Sequence, residues 1–336
     1  MSWSHHFDRG DLNSAITSIR ELLKRAPTAS NLALLAMLLG LAGRWEDAVV
    51  SLHRAASKDP SNDAFFEEIE HWIWADRSRD HRRNDPLWTE PRRWLAPPPV
   101  ALELLDQASA LFVARDIKKA AAVSEDADAK ALRQPGELVT RAGTHLTFED
   151  IVDVDSFTGA SFELVSDVLI DVPFASLRRL VVRESTTFRD SIWRPVTVEP
   201  RDAKPFEARI PALYPGSFRS SKALAHVGKA QVIEERYGMI RALGKREFRL
   251  ISSTQREAIV ALDSVAEITF AAPVQRQSAR IEIDPNWPVV PNAPNGLAVP
   301  TAQWVAPPAD ARPTAKQAEP EPDTWRPPPA TERSGA

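Results

Sequence analysis

The stretch ASNLALLAMLLGLAGRWEDAVVSLHRAASKDPS, residues 29 to 61, decides the fold. Leu32, Leu35, Ala36 and Leu39 return at the spacing of one helical face. Ala36 and Ala48 are small enough to let two helices approach closely, and Pro60 ends the second of them. The same punctuation precedes it. Gly10, Leu12, Ala15, Ile19 and Pro27 recur as Gly43, Trp45, Ala48, Leu52 and Pro60, at a constant offset of 33 residues. A helix pair closed by proline with a period near 34 is the tetratricopeptide pattern. One full repeat spans about residues 29 to 61, with a half repeat before it. A weaker echo, Asp116, Ile117 and Ala120, predicts another helix pair after LAPPPV. So few repeats leave apolar ends that another part of the chain must cover.

The period changes near residue 131. SLRRLVVRE, KAQVIEER, REFRLIS and EAIVAL are short β-branched runs separated by turn-formers. The segments 229–236, 246–252 and 257–262 are expected to form an antiparallel meander. From Pro273 onward, 14 of the 28 prolines crowd into a stretch too poor in apolar residues to build a core. Trp287, Trp304 and Trp325 stand alone in it. The fold class is therefore α+β: tetratricopeptide-like helices over 1–130, a small antiparallel-sheet α+β domain over 131–272, and a disordered Pro-rich tail over 273–336.

Composition removes several function classes. A net charge of −4 provides no basic footprint for nucleic acid. With no cysteine there can be neither disulfides nor thiolate metal sites, which suits a reducing compartment. The N-terminus lacks a signal-peptide pattern, and the longest apolar run, residues 32 to 43, is too short to span a bilayer. A cytoplasmic protein that engages no membrane is the expectation.

The densest motif is ESTTFRDSIWRPV, residues 184 to 196. Thr187 and Asp190 fit a capping box, so one helical turn is expected from Phe188 to Trp193, stopped before Pro195. Arg189 lies four residues before Trp193 and is expected to sit over its indole. Downstream, Tyr214-Pro215-Gly216-Ser217 specifies a type II turn. No dinucleotide, P-loop, zinc-protease or nucleophile-elbow motif occurs. Ser217, Asp190 and His226 would make a hydrolytic triad on paper, but their spacing gives it no support. Asp153 and Asp155 share one side of a strand and read as a solvated or turn-capping acidic edge rather than a cation site. His71 and His81 have no carboxylate at metal spacing. Neither catalysis nor a cofactor or metal is expected.

The order of DPLWTEPRRWLAP (85–97), FRDSIWRP (188–195), RIPALYPGS (209–217) and GKREF (244–248) resembles the ImpE/TagJ family, also called SciE-type virulence proteins. The resemblance covers about residues 10 to 270. It implies an accessory protein of the bacterial type VI secretion system, without catalysis. It further implies binding to the N-terminal helix of the small contractile-sheath subunit, which would link the sheath to the AAA+ ATPase that disassembles it. Arg189, Asp190, Trp193, Pro195, Tyr214, Pro215, Gly216, Ser217 and Arg246 match the family pattern. All of these but Pro195 are the candidate partner-binding residues. The chain departs from the pattern at VDVDSFTGASFEL, where members carry Asp-Ser-Arg-Leu-Gly-Pro. It departs again before Val172-Pro173-Phe174, where members carry Tyr-Tyr-Trp. Two other readings compete: a tetratricopeptide adaptor gripping a peptide tail through basic residues, and a hydrolase built on Ser217.

Overall fold

A computed structural model describes residues 2–88, 90–252 and 257–275. The tail beyond them, with Trp287, Trp304 and Trp325, lies outside the described residues. Up to residue 130 these residues form seven α-helices: α1 (Trp3–Asp8), α2 (Leu12–Arg25), α3 (Ala29–Leu41), α4 (Trp45–Lys58), α5 (Asp63–Asn84), α6 (Val100–Val113) and α7 (Ile117–Lys130). Each start has a local cause where a side chain caps it. Asp11 accepts from Ser14 N at 3.0 Å and Thr28 from Asn31 N at 3.2 Å. Helix α4 ends at Lys58, and Pro60 opens a 3₁₀ turn instead of a further helical turn. Helix α3 packs on α4 with Ala36 and Ala48 wholly buried, so the tetratricopeptide-like register is as the sequence indicates.

The recurring glycines close the helices. Gly10 and Gly43 sit at φ +78° and +70°. The Gly43 and Arg44 amides bond back to the carbonyls of Gly40 and Leu39 at 2.9 Å each, the reciprocal pair of a Schellman cap. The α6–α7 connection repeats this geometry without glycine. Arg115 occupies the same place at φ +66°, and its amide and that of Asp116 return to Phe112 and Leu111. The echo at Asp116, Ile117 and Ala120 is thus a real helix pair.

From residue 131 the chain turns to strands: β1 (Leu132–Arg133), β2 (Gly136–Thr140), β3 (His145–Phe148), β4 (Asp150–Asp153), β5 (Ser161–Val165), β6 (Leu169–Pro173) and β7 (Leu177–Val182). After the short helix α8 (Phe188–Ile192) come β8 (Trp193–Pro200), β9 (Phe206–Pro211), β10 (Gln231–Arg236), β11 (Met239–Gly244), β12 (Glu247–Ile251), β13 (Glu257–Ala261), β14 (Val265–Phe270) and β15 (Val274–Gln275). An eight-stranded antiparallel sheet runs β3-β2-β14-β7-β8-β9-β5-β6, and a second runs β13-β12-β4. Phe162, Phe174, Phe248 and Phe270 interlock in the core between strands.

The expected meander of 229–236, 246–252 and 257–262 is only half correct. Strands β12 and β13 pair as expected, but β10 pairs with β11 rather than β12. Tyr237 and Gly238 both take positive φ, +52° and +77°, which makes a two-residue hairpin of what reads as a loop. The apolar ends of the helical stack are covered from the β-rich part. Val165, Ile192 and Trp193 belong to the helical core, and Phe218 packs edge-on against Trp45.

Candidate functional site

The polar density of the molecule lies where α5 meets the sheets. This helix is unusual in burying charge: Arg79, Asp80 and Arg83 are all nearly inaccessible. Three- and four-residue spacing places Asp76, Arg79, Asp80 and Arg83 along one face, which is turned to the strands. Arg79 donates to Glu163 Oε2 (3.0 Å), Asp76 Oδ1 (2.8 Å) and the Leu213 carbonyl (3.0 Å). Arg82 reaches Asp171 Oδ2 at 2.9 Å, while Arg83 reaches Asp155 Oδ1 at 2.6 Å and Thr158 Oγ1 at 3.0 Å. Arg219 returns from the strand side to Asp80 Oδ2 at 2.8 Å. Arg92, in the segment after α5, adds Asp106 and Asp171.

Further partners come from the sheets. Fully buried Arg246 donates from Nε to Asp153 Oδ2 at 2.8 Å and stands 3.7 Å from Glu163, its two terminal nitrogens lacking hydrogen-bond partners among the described residues. Tyr214 donates its hydroxyl to Asp153 Oδ1 (2.8 Å) and accepts from Glu247 N (3.1 Å). Burial pushes Glu163 up, but Arg79, Arg246, Arg83 and Arg82 outweigh it and hold the carboxyl well below its ordinary range. At Asp153 burial prevails over Arg246, with Asp155 adding repulsion, and the carboxyl rises to about 6.

The family-pattern residues meet this junction from behind. The helical turn α8 forms as expected, with Thr187 Oγ1 accepting from Asp190 N at 3.1 Å. The reciprocal half of the capping box is replaced: the Asp190 carboxylate takes Arg209 at 2.7 Å and Thr186 Oγ1 at 3.2 Å. Burial raises Asp190, yet its bonds with Arg209 and Thr187 and the Arg209 and Arg189 charges hold it below its ordinary value. Arg189 does not lie over Trp193. Its guanidinium lies 5.1 Å from the Phe65 ring and 5.2 Å from that of Trp72, both on α5, because Trp193 turns inward to stack 5.3 Å from Trp72 and donate to Asp76 Oδ2 at 2.9 Å. Tyr214 to Ser217 form the type II turn, with Gly216 at φ +77°. Of the eight candidate partner-binding residues, Asp190, Trp193, Tyr214, Pro215, Gly216, Ser217 and Arg246 are buried and Arg189 is half-buried. Trp193 and Arg189 tie the β-rich part to Asp76 and Glu68 of α5, whereas Tyr214, Ser217 and Arg246 bond within the β-rich part.

The hydrolytic arrangement does not assemble. The Ser217 hydroxyl donates to Tyr214 O and accepts from Gly244 N, His226 contacts the Ser220 carbonyl, and Asp190 is taken by Arg209. The acidic run is not solvated: Asp150, Asp153 and Asp155 are all buried, though Asp155 does cap the turn at Phe157 N and Thr158 N. Sequence reasoning missed Arg79, Arg82, Arg83, Glu163 and Asp171. The available signal was ADRSRDHRRN on a tryptophan-rich helix, where arginines and aspartates repeat too regularly for a merely solvated face. Among the described residues no helix is long and apolar enough to cross a membrane.

The crystal structure of protein VPA1032 from Vibrio parahaemolyticus has a similar fold, with a TM-score of 0.69 at 19% identity over 80% of this chain and 97% of that one. No curated protein matches. Residues 145–269, which hold most of the strands and every family-pattern residue, match the family described as ImpE protein.

Proposed function

We propose that this chain is a non-catalytic accessory protein of a bacterial type VI secretion system. In this reading it grips the N-terminal helix of the small contractile-sheath subunit and so connects the sheath to its AAA+ ATPase, in the cytoplasm. The observation that carries the reading is the ImpE match over residues 145–269. The chemistry of the junction supports it. The buried arginines are paired with carboxylates, and the one serine weighed as a nucleophile is held between two backbone groups. Such an arrangement holds two parts together and leaves surfaces for partners. The test is calorimetric titration of the full chain with a peptide copying the sheath subunit's N-terminal helix. Micromolar binding, about −8 kcal/mol, is expected. No binding at millimolar peptide overturns the reading.

A further inference from the structure

Seven of the eight candidate partner-binding residues are buried, and α5 offers a more accessible surface. Its core-facing residues include Phe66, Ile69 and Ile73, and its junction residues are Asp76, Arg79 and Arg83. A third stripe, Ala64, Glu67, His71, Ala75, Ser78 and Arg82, follows the same three- and four-residue spacing along nearly the whole helix. This stripe is the floor of two hollows, of about 420 and about 200 Å³, that meet at His71 and Asp167. The opposite wall is the β5–β6 turn, with Ser166, Asp167 and the exposed Val168, and Trp74 and Trp88 line the far end. From Ala64 to Arg82 the floor is roughly 27 Å long at the helical rise, the length of an 18-residue or so partner helix.

The groove also has a sign. Glu67, Asp167 and Glu90 line it, and none of the three has an ion-pair partner among the described residues. Arg82 on its floor and Arg183 and Arg209 at its walls are already committed to Asp171, Glu207 and Asp190. Arg93 is the one lining cation among the described residues without such a partner, so the unpaired charge is acidic on balance. Tryptophans at one end and spare carboxylates along the floor and turn are complementary to an amphipathic helix bearing lysine or arginine beside its apolar stripe.

We infer that the groove between α5 and the β5–β6 turn is the docking site for the partner helix, and that the helix docks through a basic amphipathic face. The inference rests on the function proposed above and adds to it the surface and the charge. Glu67 and Asp167 are exposed and unpaired among the described residues, so Glu67→Lys with Asp167→Lys leaves the fold's own contacts in place. The double variant should bind the sheath-subunit peptide at least fivefold more weakly than the wild-type chain. The wild-type affinity should fall with added salt, and the variant's should fall less. Hydrogen exchange on the wild-type complex should show new protection in residues 64–82. Peptide binding by the wild-type chain with equal affinity in the double variant, or protection elsewhere, overturns the groove while leaving the proposed function standing. Absence of wild-type binding overturns both, and so the two failures are told apart.

Discussion

Glu163 shows how a single carboxylate can hold two halves of a chain together. It lies on β5, yet its strongest partner is Arg79 on α5, 84 residues away, and Arg246 flanks it from the strand side. Removing its charge would strand buried guanidinium groups, which costs far more than the pair contributes net. Glu163→Gln should therefore lower unfolding free energy by about 3–5 kcal/mol in denaturant titration. A loss under about 1 kcal/mol would mean the arginines find other partners. The pH signs in this network oppose each other. Glu163 is depressed in the fold, so its stabilisation is present above the ordinary carboxylate range and fades as pH falls. Asp153 is raised from 3.8 to about 6, so its contribution is present in acid and is lost as pH rises through that value. Asp153→Asn abolishes this loss. The stability difference between variant and wild type should shift toward the variant by up to about 3 kcal/mol between about pH 4 and about pH 7. A difference independent of pH would place Asp153 at its ordinary value. None of these pairings was legible in the sequence. Spacing reports which residues share a helix face or a strand side, but says nothing of a partner 84 residues away, so Asp153 and Asp155 read only as a solvated or turn-capping edge.

At the level of elements the repeat was legible because its signals are local. Gly10 and Gly43 occupy left-handed helix caps, and small residues at Ala36 and Ala48 mark a close crossing, both readable from spacing alone. Ala48 has no exposed surface, so Ala48→Leu should overpack the α3–α4 contact and cost about 1–3 kcal/mol. An unchanged melting temperature would show that the contact has room. The third cap tests the same physics in reverse. Arg115 takes at φ +66° the place held elsewhere by glycine, and a side chain in that region carries a penalty of roughly 1–2 kcal/mol. Arg115→Gly should recover part of this, about 1 kcal/mol or less after glycine's greater unfolded-state entropy. A drop in stability would mean that the Arg115 side chain makes contacts worth more than the strain. The β10–β11 hairpin is only half legible: Tyr-Gly reads as a turn, but MIRALG, which forms β11, reads as part of the connection because its ALGK end is turn-forming.

For the whole molecule, the question is whether the helical and β-rich parts are separate folding units. Composition and periodicity divide the chain cleanly at residue 131, where α7 gives way to β1. The packing does not respect that division. The described residues fall in one compact unit, Trp193 of β8 is part of the helical core, and α5 supplies the cations for carboxylates on β5, β6 and the turn after β4. If either part unfolded alone, the other would keep buried charges without partners, each break costing several kcal/mol. Intermediates with one part folded should therefore be too high in energy to populate. Seven of the ten tryptophans lie at or before Trp193, so fluorescence reports mainly the helical stack and its junction, whereas far-ultraviolet circular dichroism sums both parts. The two transitions should coincide in urea within error, as a cooperative unit requires. Weakening the junction by Glu163→Gln should move both midpoints together rather than separate them. Two resolved transitions in the wild-type chain would mean that the arginine–carboxylate junction opens before either part melts, and that the two parts are independent domains joined by a separable latch.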